Sequence, residues 1–162
     1  MEHDTPTVCF ERATGTDLDA LCLAATAAFE YDIHYGAPGV GGPPGYNTTS
    51  WHRELMARAA AYYKVVEDGR ILGGFTVFGM GSGLYILGTI YLVPEAQNRG
   101  IGTRAMRFAL SRYPQARRWR LDTPAWSQRN HHFCEKLGFR KVAVEVHGEG
   151  DESFVYELTS SR

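Results

Sequence analysis

The segment Gln97-Asn98-Arg99-Gly100-Ile101-Gly102-Thr103 places two glycines one residue apart, directly before a stretch that reads as a helix. Glycine weakens a helix interior by roughly 1 kcal/mol relative to alanine, so a pair at a helix start needs a reason. Successive backbone N–H groups in a glycine turn that opens into a helix form a concave site for an anion, and the helix dipole adds its favourable end. Phosphate is the natural guest. Neither common nucleotide motif fits, however. No lysine follows Gly102, as a P-loop requires, and the third glycine of a dinucleotide fingerprint is missing.

Other residue types exclude further chemistries. The three cysteines, Cys9, Cys22 and Cys134, lack metal-type spacing, and His131 and His132 are neighbours whose side chains diverge on a helix. No metal site is expected. The net charge of -1 sets up no global field for nucleic acid or anionic lipid. No apolar stretch reaches the length of a membrane span, and the start, MEHDTPTVCFER, has no signal-peptide run. Reduced thiols in a cytoplasmic protein follow as the simplest expectation.

The elements that must position the turn are legible in outline. With 162 residues, 44% of them hydrophobic, the chain suits one domain over residues 1–162. Thr7 to Arg12 reads as a strand. Thr16 reads as a helix cap with Asp19 completing the box, followed by Leu18, Leu21, Cys22, Ala25 and Phe29 at helical spacing. The segment 31–50 is rich in Gly and Pro and too long for a passive connector, so it is expected to be functional. A helix is expected over 51–61. Strands at 62–67 and 71–78 join through Asp68-Gly69, a hairpin signal, and a third at 84–93 completes a meander. A helix from the glycines to Pro114, a strand at 119–123, a helix at 128–137 capped by Gly138, and two final strands at 140–147 and 153–158 complete the order.

LVPEAQNRGIG resembles the cofactor signature of the GNAT superfamily of acyl-CoA-dependent N-acetyltransferases, and NHHFCEKLGF resembles that family's Phe-Tyr-Glu-Lys-x-Gly-Phe helix. The element order from Val8 to Leu158 is similar to the family's as well. The resemblance implies an α/β (α+β) fold: a mixed, mostly antiparallel sheet of about seven strands, flanked by about four helices, with two strands splayed around a cofactor cleft. It implies acetyl-CoA as cosubstrate and direct attack on it by the amine of a small molecule or a protein. Ile90, Tyr91 and Leu92 would border the pantetheine arm. Gln97, Asn98, Arg99, Gly100, Ile101, Gly102 and Thr103 would surround the pyrophosphate, with Arg104 a further charge partner. Ser127, Asn130 and Phe133 would face the same gap from the following helix.

One position departs from the family pattern. Cys134 occupies the slot where the family carries the tyrosine that protonates the leaving thiolate. Several roles stay open for it: action through a water, replacement by another tyrosine such as Tyr91, protonation from solvent, or a covalent acyl carrier. The strand at 84–93 contains no Glu, Asp or His, so no carboxylate base stands there. Among Glu30, Asp32 and His34, His34 has the ordinary pKa best suited to a base. A catalytically weak acyl-CoA sensor is the alternative to an enzyme, and a homodimer stays open.

Overall fold

The computed structural model describes residues 7–159. Seven strands form one sheet: β1 Val8–Arg12, β2 Ala61–Glu67, β3 Arg70–Gly79, β4 Leu84–Leu92, β5 Arg118–Pro124, β6 Arg140–Gly148 and β7 Asp151–Thr159. Their order is β1-β2-β3-β4-β5-β7-β6. All neighbours are antiparallel except β4 and β5. Four helices pack on the sheet: α1 Leu18–Glu30, α2 Thr49–Arg58, α3 Ile101–Arg112 and α4 Gln128–Lys136. The expected mixed α/β architecture is therefore present. Among the described residues, no helix is long and apolar enough to cross a membrane.

Alternation along β2 decides which helix covers which face. Tyr63 points to one side and stacks on Phe75 at 5.1 Å, and Phe108 of α3 meets both rings and Phe10. On the same side His131 of α4 stacks on Phe154 of β7 at 4.7 Å. Tyr62 points the other way, to α1 and α2, where it bonds His52. Thus α1 and α2 cover one face, and α3 and α4 the other.

Two local readings shift against expectation. The capping box lies at Thr14 and Asp17, two residues before the expected Thr16 and Asp19, because Asp17 also pairs with Lys64 at 3.1 Å. A 3-10 turn, Tyr31–Tyr35, extends α1 into the glycine- and proline-rich segment, and Thr48 caps α2 by accepting from the Trp51 N–H. The Asp68-Gly69 hairpin is as expected, with both residues at positive φ.

The strand β4 bulges at its centre. Thr76 of β3 faces both Gly88 and Thr89, and its hydroxyl accepts from the Thr89 N–H at 3.0 Å. A Cβ at Gly88 would approach that oxygen to 2.4 Å, so only glycine fits. Before the bulge β4 pairs with β5 through Leu84, Tyr85 and Ile86 alone. Beyond it the two strands have no shared register, and a gap opens between Ile90–Leu92 and the end of β5.

The neighbouring strand β3 is glycine-lined where Tyr91 crosses it. A Cβ at Gly73 would stand 2.0 Å from the Tyr91 carbonyl oxygen, a backbone atom that cannot give way. Gly73→Ala is therefore expected to lower unfolding free energy by about 1–3 kcal/mol, as overpacking does, and to shift β4. Denaturant midpoints that match the parent protein would show that β4 accommodates the methyl freely.

Candidate functional site

The gap widens into a cavity of about 460 Å³ between β4, α3, α4 and the end of α1. Ile90, Tyr91 and Leu92 form its β4 wall, and Gln97, Asn98, Gly100, Gly102 and Thr103 form its floor. Asn130 and Phe133 line it from α4. Ala28, Phe29, Asp32, Arg129 and Lys136 also line it, and only Asp32 among them stands out in the sequence as a candidate.

The floor has the geometry of an anion cradle. Asn98 and Gly100 are both left-handed, at φ 61 and φ 78, which turns the chain into α3. The Arg104 backbone N–H donates to the Gly100 carbonyl as the first helical bond, so the N–H groups of Ile101, Gly102 and Thr103 have no partner within the helix. A Cβ at Gly100 would meet nothing within 4 Å, and one at Gly102 only the Phe133 ring at 3.6 Å. The cradle is open to an incoming group, and Lys136 stands beside it without an ion-pair partner among the described residues.

The β4 wall offers backbone groups. Val93 donates its N–H to Leu72 of β3, so alternation turns the polar groups of Leu92 and Ile90 toward the gap. The Leu92 carbonyl is met there by the Gln97 side chain, which donates at 3.0 Å. The buried hydroxyl oxygen of Thr123 on β5 has no hydrogen-bond partner.

Four expected cofactor residues do not line the cavity. Arg99 turns back to the β2–β3 hairpin and grips both oxygens of Glu67, at 3.3 and 2.5 Å. Arg104 faces β1, its guanidinium donating to the Val8 carbonyl at 3.0 Å over the Phe10 ring. Ile101 is buried on the core side of α3, and Ser127 is buried at the start of α4. In each case helix phase or a distant charge partner decides the direction.

Of the three expected catalytic residues, Tyr91 lines the cavity and His34 and Cys134 do not. His34 is exposed and its ring meets that of Tyr31 at 4.5 Å, tilted by 43°, outside the cavity lining. Cys134 is 2% exposed and absent from the lining, and burial pushes its thiol up to about 12, so it neither ionises nor donates readily near neutrality. Tyr91 does line the gap, but its hydroxyl runs over Gly74 to meet that of Tyr62 at 2.5 Å. Burial raises both phenols well above their ordinary values.

That contact belongs to a buried chain. Tyr62 meets His52 Nδ1 at 2.8 Å, and His52 Nε2 meets the Tyr46 carbonyl at 2.8 Å. A carbonyl only accepts, so Nε2 carries the proton and Nδ1 accepts from Tyr62, which in turn accepts from Tyr91. The chain ties the segment before α2 to the cleft strand.

A carboxylate that the sequence does not single out stands on β5. Asp122 lies two residues past the last residue paired with β4, on the sheet face opposite Leu121 and Thr123. Its side chain is exposed and outside the cavity lining; partial desolvation and the nearby Glu145 raise its pKa, while His147 and Arg120 oppose the shift. His147 is itself within 3.2 Å of the Ser153 hydroxyl. In the sequence Asp122 looks like any polar residue on a strand; its distance past the β4–β5 pairing is the feature that distinguishes it.

Residues 29–139 match the model of the Acetyltransferase (GNAT) family, and the chain belongs to that family. Its fold is similar to that of a PaiA N-acetyltransferase from Thermoplasma acidophilum, solved with coenzyme A, at TM-score 0.74 and 16% identity, covering 95% of this chain and 99% of that one. An acetyltransferase from Thermus thermophilus superposes at TM-score 0.77 and 15% identity, covering 95% and 97%. The ribosomal-protein-S18-alanine N-acetyltransferase from Escherichia coli does so at 0.74 and 13% identity, covering 94% of each chain. No curated protein sequence matches closely enough to name a relative.

The buried imidazole carries a pH signature. Burial lowers the His52 pKa, so the unfolded chain binds its proton first as pH falls. The contribution of neutral His52 is complete above about 6.5 and is lost progressively below it. As pH falls below about 6.5 the parent protein is expected to lose melting temperature faster than His52→Gln. Parallel slopes would mean that the imidazole is protonated equally in both states.

Proposed function

We propose that the chain is a single N-acetyltransferase domain that moves an acetyl group from acetyl-CoA to a primary amine of a small molecule or a protein. The carrying observation is the splayed gap beside the glycine cradle, where unpaired strand groups and free helix N–H groups meet. By this reading the pyrophosphate is held by the N–H groups of Ile101, Gly102 and Thr103, with Asn98 and Lys136 beside it. The pantetheine arm is held along Ile90–Leu92, where an amide ligand adds to the strand edge. No metal takes part in this reading, and the acceptor, rather than nucleic acid or a membrane, is the partner.

Bound acetyl-CoA supplies the activated acyl carbon. A nitrogen–carbon bond forms, the carbon–sulfur bond breaks, the amine loses a proton and the thiolate gains one. Alkylamines titrate near 10.4, so a base must first take a proton from most of them. Asp122 is the group we assign to this task, through water, because it stands on β5 two residues past the β4–β5 pairing. Asp32, which lines the cavity with burial raising its pKa, is placed to attract the incoming ammonium. The leaving thiolate is assigned a proton from water, since no cavity-lining hydroxyl is poised as an acid.

The experiment that tests the cofactor reading is a thermal shift. Acetyl-CoA is expected to raise the melting temperature of the parent protein, and Gly102→Val, which fills the cradle, to abolish the shift while still folding. An equal shift in the variant would remove the cradle from the account.

A panel of amines with free CoA as readout separates an enzyme from a sensor. With an accepted amine, Asp122→Asn is expected to lower kcat/KM by about 10²–10⁴-fold and to flatten its acid limb. Activity should rise with pH through the Asp122 pKa, because the carboxylate must be ionised to act. Cys134→Ser is expected to keep most of the turnover. A dead but folded serine variant, with acetyl on Cys134 in the parent protein, would instead assign the thiol as an acyl carrier.

A further inference from the structure

A second recess, of about 600 Å³, lies at the other end of β4, roughly 20 Å along the strand from the cofactor gap. The β3–β4 hairpin lines it through Gly79, Gly81, Ser82 and Gly83, and the segment between α3 and β5 through Gln115 and Arg117. Tyr85 lies between the two. No Asp or Glu lines the recess.

The polar groups that meet there are mostly hydrogen-bond donors. Gly81, Ser82 and Gly83 are all left-handed, at φ 84, 55 and 79. Their turn spends its carbonyls on the protein: Gly81 accepts from the Leu84 N–H, and Gly83 from the N–H groups of both Arg117 and Arg118. The N–H groups of Gly81, Ser82 and Gly83 have no backbone partner among the described residues. A Cβ at Gly83 would stand 2.9 Å from Arg117 Cγ, so glycine there lets the Arg117 stem lie across the turn. The Arg117 guanidinium forms no ion pair among the described residues. Gln115 donates to the Tyr85 hydroxyl at 2.7 Å, which leaves the phenol's own proton to donate. Tyr113 and Trp119 hold the Tyr85 ring, with centroids at 5.1 and 5.3 Å.

We propose that this recess is a binding site for a small phosphorylated molecule, separate from the acetyl-CoA cleft. Three turn N–H groups, a guanidinium fork and a phenol O–H offer more donors than the lone pairs of one carboxylate accept. Three phosphate oxygens accept them all. The turn is fixed to the start of β5 through the Gly83 carbonyl, so its N–H groups need no rearrangement to receive the anion. The volume left beyond a phosphate suits the body of a metabolite-sized ligand. The Gln115 amide oxygen and the Ser82 hydroxyl are there to bond its hydroxyl groups.

Backbone amide chemical shifts of the full chain, titrated with inorganic phosphate against chloride at constant ionic strength, test this. Saturable shifts are expected at Gly81, Ser82 and Gly83. Arg117→Gln is expected to weaken that binding about tenfold or more, as loss of a charge-assisted contact does. Gly102→Val, which fills the cofactor cradle, is expected to leave these shifts unchanged. Acetate is expected to bind at these amides about fivefold more weakly or worse, and glucose 6-phosphate at least as tightly as inorganic phosphate. No shift at the three amides, shifts confined to Gly100, Gly102 and Thr103, or undiminished binding in Arg117→Gln overturns the site. Equal affinity for acetate overturns the assignment to phosphate, and exclusion of the sugar phosphate overturns the small-molecule ligand.

Discussion

The hydrogen-bonded register between β4 and β5 ends after three residues, and most of the site follows from that interruption. A parallel pair would normally continue and bury its polar groups. Here the Gly88–Thr89 bulge, held by the Thr76 hydroxyl, turns β4 away and leaves backbone groups facing open space. Such groups need partners, and each neighbouring element is arranged around that need. Gln97 reaches across to Leu92, and the α3 N-terminus presents its own free N–H groups next to it.

The two sheet faces then divide the chemistry. The α3 and α4 side is aromatic around Phe10, Tyr63, Phe75 and Phe108, which packs α3, and with it the glycine turn, onto the sheet. The α1 and α2 side carries the polar chain from Tyr46 through His52 and Tyr62 to Tyr91. No covering helix lies over β5, β7 and β6 on that second side among the described residues, and there Asp122, Glu145 and His147 face one another. One face is closed by aromatic packing, and the other carries the polar and charged groups.

Legibility in the sequence follows the range of the interaction. The hairpin at Asp68-Gly69 and the glycine turn are readable because their backbone angles are local demands on residue type. The 3-10 turn at Tyr31–Tyr35 is hidden, since the glycines and prolines after it dominate the local pattern. Arg99 and Arg104 point away from the cradle because their partners, Glu67 and Val8, lie far away in the chain. Cys134 stands out as a departure from the family helix, but only its burial beside β7 shows how poorly its thiol is placed to titrate. Asp122 and Arg129 give no local signal, because each acquires its significance from strands and turns that meet it only in the folded protein.

The attachment of the segment before α2 has a consequence for how such a protein diversifies. Between Gly36 and Thr48 the chain reaches the buried polar groups of the sheet through one carbonyl, that of Tyr46, on the His52 ring. A backbone carbonyl is offered by every residue type, so this anchor places no demand on the side chain that carries it. Side-chain demands gather instead at Gly42, where a Cβ would press on Phe29, and at the Tyr46 hydroxyl, which donates to Glu30 at 2.8 Å. The stretch before Gly42 can therefore change in sequence and length while His52 keeps its partner. New loops can be exchanged there on a constant sheet-and-helix half, and a library of grafts would start its variation in that stretch, leaving Gly42, Tyr46 and the Thr48 cap in place.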